Sequence, residues 1–338
     1  MSGWRVRGGR AGTVAALLAG VLISSVAGAA VIRSAATAAT SSSSTWGVSC
    51  AHAAADPRGV VQADPGFWLL TASGQTYPFN ALALGATNES CINPTPRTGT
   101  ESPWSCFGLS TAPGGQGVWL GDGPTSYEGV GSPTYSGVIS SMGTTGQIAS
   151  GSSLSVHNVN ALIVGIASAS KGEGAWLTGA DGGVYALGGA PFFGSMGNTL
   201  LNAPVVGMAA TPDGMGYWLA ASDGGIFSFG DAWFLGSMAD RHLNQPIVGM
   251  AATPDGKGYW EVAADGGVFS FGDAQFHGSA SSIRLNGPVV GIAANPDGSG
   301  YWLVASDGGV FAYGDAPFLG SGVGRESGIP FVDIASRG

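Results

Sequence analysis

Carboxylates recur at a fixed interval along the second half of this 338-residue chain. Asp181, Asp223, Asp265 and Asp307 lie 42 residues apart. Asp213, Asp255 and Asp297 make a second set, and Asp231, Asp273 and Asp315 a third. Stacked by a repeating fold, such sets would form an acidic arc able to hold Ca²⁺ or a cationic ligand, because hard cations prefer clustered carboxylate oxygens. Every set also sits beside Gly in a turn, where an Asp side chain bonds the backbone two residues on. None has the ligand spacing of an EF-hand or a nonapeptide calcium loop. The turn role is therefore preferred, and no metal site or cofactor is expected.

Other chemistry-bearing residues interrupt the pattern. Glu261 stands in an apolar run where sister units carry Leu177, Leu219 and Leu303. A carboxylate there is either at a wet edge or kept for a purpose. His277 takes the place of Leu235 and Leu319 in a strand position. The four histidines are scattered, and no Gly-x-Ser-x-Gly elbow stands with a His partner, so no catalytic residue is assigned. Trp233 and Trp104 are irregular aromatics. The connectors 197–203, 239–245, 281–287 and 323–329 vary most, and variable loops on a regular scaffold carry binding specificity. The binding candidates are therefore Glu261, His277, Trp233, Arg241, His242, Arg284 and Arg325.

A repeat positions all of them. Trp176, Trp218, Trp260 and Trp302 are each 42 residues apart, and units 162–203, 204–245, 246–287 and 288–329 align without gaps. A period of this length belongs to propellers, solenoids or arrays. Two eroded units precede them. Cys106 to Trp119 overlays Val205 to Trp218 residue for residue, and Pro57 to Trp68 follows with a two-residue deletion. Trp119 and Trp176 are one period plus 15 residues apart, an insertion expected within 132–155. In unit 246–287 the pattern predicts four strands, at 247–252, 259–264, 268–271 and 275–279, divided by Asp-Gly turns that tolerate positive φ.

Apolar residues line both faces of these strands, as in Val289-Val290, which calls for burial on both sides. Four-stranded sheets packed face to face around an axis meet that need. The expected fold is all-β, a β-propeller of six or seven four-stranded blades over 46–338. The repeated Trp is read as packing between blades rather than as a sugar platform. After the last unit, Pro330-Phe-Val-Asp-Ile-Ala335 is the opening strand of another unit. Pairing it with an N-terminal segment closes a ring and removes exposed edges; 45–54, with Trp46, is the expected partner.

Composition agrees and adds an address. The chain has 60 Gly without a Gly-X-Y period, and only 10% of its residues are charged, which suits short buried strands joined by tight turns. Arg5, Arg7 and Arg10 precede an uncharged run over 11–32, followed or ended by small-x-small sites at Ala27-Gly28-Ala29 and Ala36-Thr37-Ala38. That run is also long enough to span a bilayer. Residues 1–34 thus read as a cleaved export signal or a membrane anchor, and 35–45 as an Ala/Ser/Thr linker. Both readings put the remainder outside the cytoplasm, secreted or at the cell surface.

Setting aside Arg5, Arg7, Arg10 and Arg33 leaves 8 of the 12 basic residues against all 21 acidic ones. Such a chain repels nucleic acid and anionic lipid, so contact with a membrane is expected only through the N-terminal anchor. Three cysteines allow one disulfide and a leftover thiol. Cys91 with Cys106 is the first choice, with Cys50 open as a partner for either.

The Tyr-Trp…Ser-Asp-Gly-Gly-Val-Phe…Phe-Gly-Asp-Ala units, specific over 162–335 and traceable from 57, resemble the repeats of secreted actinobacterial proteins. The resemblance implies a propeller-like fold. In that group the repeats often accompany cell-wall hydrolases or peptidases, but no such catalytic domain fits in this chain. The expected function is a non-catalytic binding or scaffold module at the cell surface, for a cell-envelope glycan or an extracellular protein. Two alternatives stay open: a propeller lyase or hydrolase of polysaccharide with Glu261 at its mouth, and a purely structural envelope protein. Glu261 clustered with another acid and an aromatic in one pocket would favour the enzyme. Exposed aromatics without paired acids would favour glycan binding.

Overall fold

The computed structural model describes residues 65–81, 106–111, 117–122, 135–143, 153–169, 174–325 and 328–337, all within the compact unit Ala53–Gly338. The export segment, the linker, 45–54, Cys50, Cys91 and Trp104 lie outside the described residues. Those described form strands and turns without a helix, so none is long and apolar enough to cross a membrane.

The first strands are β1 (Gly66–Thr71) and β2 (Thr76–Phe79), then β3 (Cys106–Thr111), β4 (Gly117–Asp122), β5 (Tyr135–Gly143) and β6 (Ser153–Val159). Three-strand sets follow: β7 (Ile163–Ser168), β8 (Gly174–Gly179) and β9 (Val184–Gly188), then β10 (Val205–Ala210), β11 (Gly216–Ala221) and β12 (Ile226–Gly230). Next come β13 (Ile247–Ala252), β14 (Gly258–Ala263) and β15 (Val268–Gly272), then β16 (Val289–Ala294), β17 (Gly300–Ala305) and β18 (Val310–Gly314). The last is β19 (Phe331–Arg337). They make six antiparallel sheets: β19-β1-β2, β3-β4-β5-β6, β7-β8-β9, β10-β11-β12, β13-β14-β15 and β16-β17-β18.

The Asp-Gly-Gly turns explain the hairpins. Gly225 N–H donates to Asp223 Oδ1 at 2.9 Å, and Gly224 takes a φ of 81°. That conformation is open to Gly and strained for other residues. Asp181, Asp265 and Asp307 accept the same bond from Gly183, Gly267 and Gly309. The first Asp set thus builds turns.

Two expectations need correction. The fourth segment of the regular units is not a strand; only the β3–β6 sheet has four among the described residues. Side chains have taken its backbone groups. The indole N–H groups of Trp176, Trp218, Trp260 and Trp302 donate to the carbonyls of Pro191, Trp233, Gln275 and Pro317. The next sheet's Tyr217, Tyr259 and Tyr301 hydroxyls donate to Gly194, Gly236 and Gly278, and accept N–H bonds from Phe193, Leu235 and His277.

The closing strand β19 pairs with β1, Trp68 opposite Ala335; the partner expected from the sequence, 45–54, lies outside the described residues. The Trp68 unit supplies its second and third strands, and the chain end supplies its first. Trp119 pairs with Ser141, 22 residues on, where Trp218 pairs with Ser228, ten residues on, so most of the insertion precedes Ser141.

The first strands neighbour one another in cyclic order: β3 against β7, β7 against β10, β10 against β13, β13 against β16, β16 against β19, and β19 against β3. Six apolar clusters fill the gaps between successive sheets. Trp68, Trp119, Trp176, Trp218, Trp260 and Trp302 are all fully buried there. β1, β4, β8, β11, β14 and β17 are inner strands of their sheets, buried wherever their side chains are described.

Candidate functional site

The fourth segments carry an exposed aromatic row. Phe192, Phe234, Phe276 and Phe318 recur every 42 residues and are 61%, 59%, 60% and 64% exposed. Each follows the residue whose carbonyl receives an indole N–H. For Phe192, Phe234 and Phe276, the next residue donates its N–H to a buried tyrosine. The backbone beneath each exposed ring is therefore held by buried side chains. Trp233, a sequence candidate, stands beside Phe234 and is 77% exposed. The sequence reading picked Trp233 and missed the Phe column, whose signal was its identity in four units.

Glu261 and His277 are not brought together. Strand alternation puts Glu261 on the Tyr259 face of β14, in the gap toward the β10–β12 sheet, among Trp218, Met250 and Tyr259. Its side chain is fully buried, and neither carboxylate oxygen has a hydrogen-bond partner. Burial, and next the charge of Asp223, push its pKa up to about 8. Burial first, with the Glu261 charge contributing, pushes the Tyr259 hydroxyl to about 12. His277 lies in the following gap, its ring against Trp260 and Tyr301, at the place of Leu235 and Leu319 but in the clamped fourth segment rather than in the strand expected there. Glu261 is therefore at neither a wet edge nor a mouth.

The basic candidates occupy successive connectors. Arg241, His242 and Arg284 are exposed. The Arg325 guanidinium lies over the Phe79 ring at 4.9 Å and the Tyr77 ring at 5.5 Å, a cation–π contact that ties the last connector to β2. Cys106 is buried at the start of β3 and disulfide-bonded, to a partner outside the described residues.

Two pairs of acids meet near the turns between the first and second strands, Asp213 with Asp231 and Asp255 with Asp273. Asp213 is held below the carboxylate range by the Met215 N–H and the Thr211 hydroxyl, and Asp255 down to about 2 by Thr253 and Lys257. Their neighbours Asp231 and Asp273 are raised, chiefly by burial and then by the adjacent acid. Lys257 bridges Asp255 at 3.1 Å on the surface. Among the described residues no group of three or more His, Cys, Asp and Glu could hold a metal.

The first strands enclose an axial cavity of about 670 Å³. Gly108, Gly165, Gly207, Gly249 and Gly291 occupy the third position of β3, β7, β10, β13 and β16, and β19 places Asp333 there. Asp333 accepts 2.8 Å hydrogen bonds from the N–H groups of Leu109 and Ile334. Enclosure pushes its pKa up to about 7 against the pull of those two donors. Among the described residues, no other one lining the cavity ionises. Sequence reasoning missed Asp333, which becomes conspicuous only when β19 is laid on the glycine column.

No family model and no curated protein matches the chain. Among solved structures it is similar to a crystal structure of Sqt1 from Chaetomium thermophilum, at 17% identity and a TM-score of 0.42, covering 64% of this chain and 58% of that one. The chain thus spans less than two thirds of that protein, and a likeness at this level transfers nothing.

Proposed function

We propose that the chain is an exported, non-catalytic binding module, a six-bladed β-propeller whose outer rim holds a cell-envelope glycan through the Phe192–Phe234–Phe276–Phe318 row. The cyclic order of first strands, the six filled gaps and the β19–β1 pairing support six blades rather than seven. The four regular blades are three-stranded with a clamped outer segment. The exposed row carries the functional reading. Four identical apolar rings, one in each regular unit, are exposed on backbone that buried side chains hold in place, and rings so fixed are ready to meet a partner. Preorganised platforms bind without an ordering cost, and four in register add avidity for a repeating polymer.

The polysaccharide lyase or hydrolase reading loses its proposed residue, because Glu261 is sealed in a sheet–sheet gap. The resemblance to secreted actinobacterial repeat proteins, the export segment, and the Cys91–Cys106 bridge belong to the same proposal. An extracellular protein partner on the rim is the second reading, favoured by the excess of 21 acidic over 12 basic residues, which suits a basic protein. Retention of the full chain on peptidoglycan and polysaccharide arrays tests the glycan reading. Retention supports it, and absence from every glycan surface overturns it.

A further inference from the structure

The axial cavity concentrates its polar chemistry at one level. A Cβ on Gly207 would lie 3.8 Å from Gly249 Cα, and one on Gly249 would lie 3.8 Å from Gly291 Cα. The strands approach closely here because five of six positions lack a side chain, and the sixth turns a carboxylate onto the edge of β3. The ladder alternation fixes where the backbone donors point. Ala169, Thr211, Thr253 and Asn295 N–H groups bond inward to Gly174, Gly216, Gly258 and Gly300. Three steps back, Ile166, Met208, Met250 and Ile292 therefore turn their N–H groups away from the sheet, toward the cavity. Leu109 and Ile334 hold the same position in their strands, and theirs are the two donors Asp333 uses.

The waist so carries one carboxylate with free lone pairs and four backbone N–H groups with no side chain opposite them. An anion would meet the carboxylate, and a bare cation would meet the N–H dipoles. A hydroxyl satisfies both, donating to Asp333 and accepting from the strand edges. The cavity walls above and below, from the partly exposed Val164, Val206, Val248 and Val290, offer apolar surface to carbon-bound hydrogens. We propose that this waist is a second binding site, for a neutral hydroxyl-rich ligand of monosaccharide size, anchored by Asp333. The cavity volume lies in the range of small-molecule sites. The ligand is either a free sugar or the terminal sugar of a glycan chain, and the site is independent of the Phe rim.

Calorimetric titration of the full chain carrying F192A/F234A/F276A/F318A, which removes the rim, tests the proposal with two probes: neutral monosaccharides and linear oligosaccharides of the same sugars. Saturable binding of the monosaccharide alone assigns a free sugar, and tighter binding of the oligosaccharide assigns a chain end. In that background D333G, which restores the repeat's own residue, lowers affinity at least tenfold, whereas D333N keeps it within a few-fold. G207A/G249A meets nothing closer than 3.7 Å, so it folds; by narrowing the waist it also weakens binding. No saturable binding of either probe, or equal binding by D333G, overturns the proposal. Array retention by an intact rim with D333G separates this failure from failure of the rim reading.

Discussion

Replacing Glu261 with Leu should stabilise this protein, by an amount that depends on pH. Glu261 is fully buried with both oxygens unpartnered, and its carboxyl ionises only near about pH 8 in the folded chain, against 4.5 as the ordinary value. The folded-state pKa is raised, so the unfolded chain releases this proton first. Below about pH 4.5 both states hold the proton and no ionisation penalty exists. As pH rises from there to about 8, folding is opposed by about 1.4 kcal/mol per pH unit, and above 8 the penalty is constant. At pH 7 this amounts to about 3–4 kcal/mol. Leu also removes two unsatisfied buried oxygens and restores the residue found at 69, 120, 177, 219 and 303, so its shape is already accommodated in the other five gaps. Denaturant unfolding of the wild type and E261L at pH 5, 6, 7, 8 and 9 should show the variant more stable, with the difference widening to pH 8 and then levelling. A pH-independent difference, or a less stable variant, would refute the assignment of Glu261 to a dry gap.

Removing the Tyr259 hydroxyl (Y259F) strands the Gly236 carbonyl and the Leu235 N–H, and should cost about 1–3 kcal/mol; hydrogen exchange at Leu235 should rise with it. Gly266 has a φ of 80°, and a Cβ there would strike Ala280, so G266A should lower stability by at least about 1–2 kcal/mol in chemical denaturation. Truncation after Ile329 removes Phe331 and Ile334 from their gap, roughly 1.5–3 kcal/mol each, and bares the β1 edge. Size-exclusion chromatography should then show association or a lost cooperative transition.

Much of the fold was legible because a repeat averages out local noise. The Trp anchor, the Asp-Gly-Gly turns and the apolar first strand each recur with the side-chain logic that the structure uses. The fourth segment misled because Phe234-Leu235 reads as a strand, while the atoms that deny it a ladder, Trp218 Nε1 and Tyr259 Oη, lie 16 and 24 or more residues away. The closing partner is hard to read from sequence because Pro57 to Trp68 overlays a first strand and its anchor, which leaves β1 looking already supplied with a first strand. The role of Glu261 as an anomaly was visible, but its burial was not. A Leu-to-Glu exchange looks the same at a wet edge and in a dry gap, and only the facing sheet decides. Asp333 was hidden by a different cause: its neighbours in space, Gly108 and Gly291, lie far from it in sequence.

The rim reading is tested most directly by comparing the affinity of the wild type and F192A/F234A/F276A/F318A for the glycan that retains the full chain. Because the four rings are exposed and their backbones are held by other side chains, the melting temperature should stay unchanged while affinity falls at least tenfold. Equal affinity in the two proteins would contradict a rim that binds through its aromatic row.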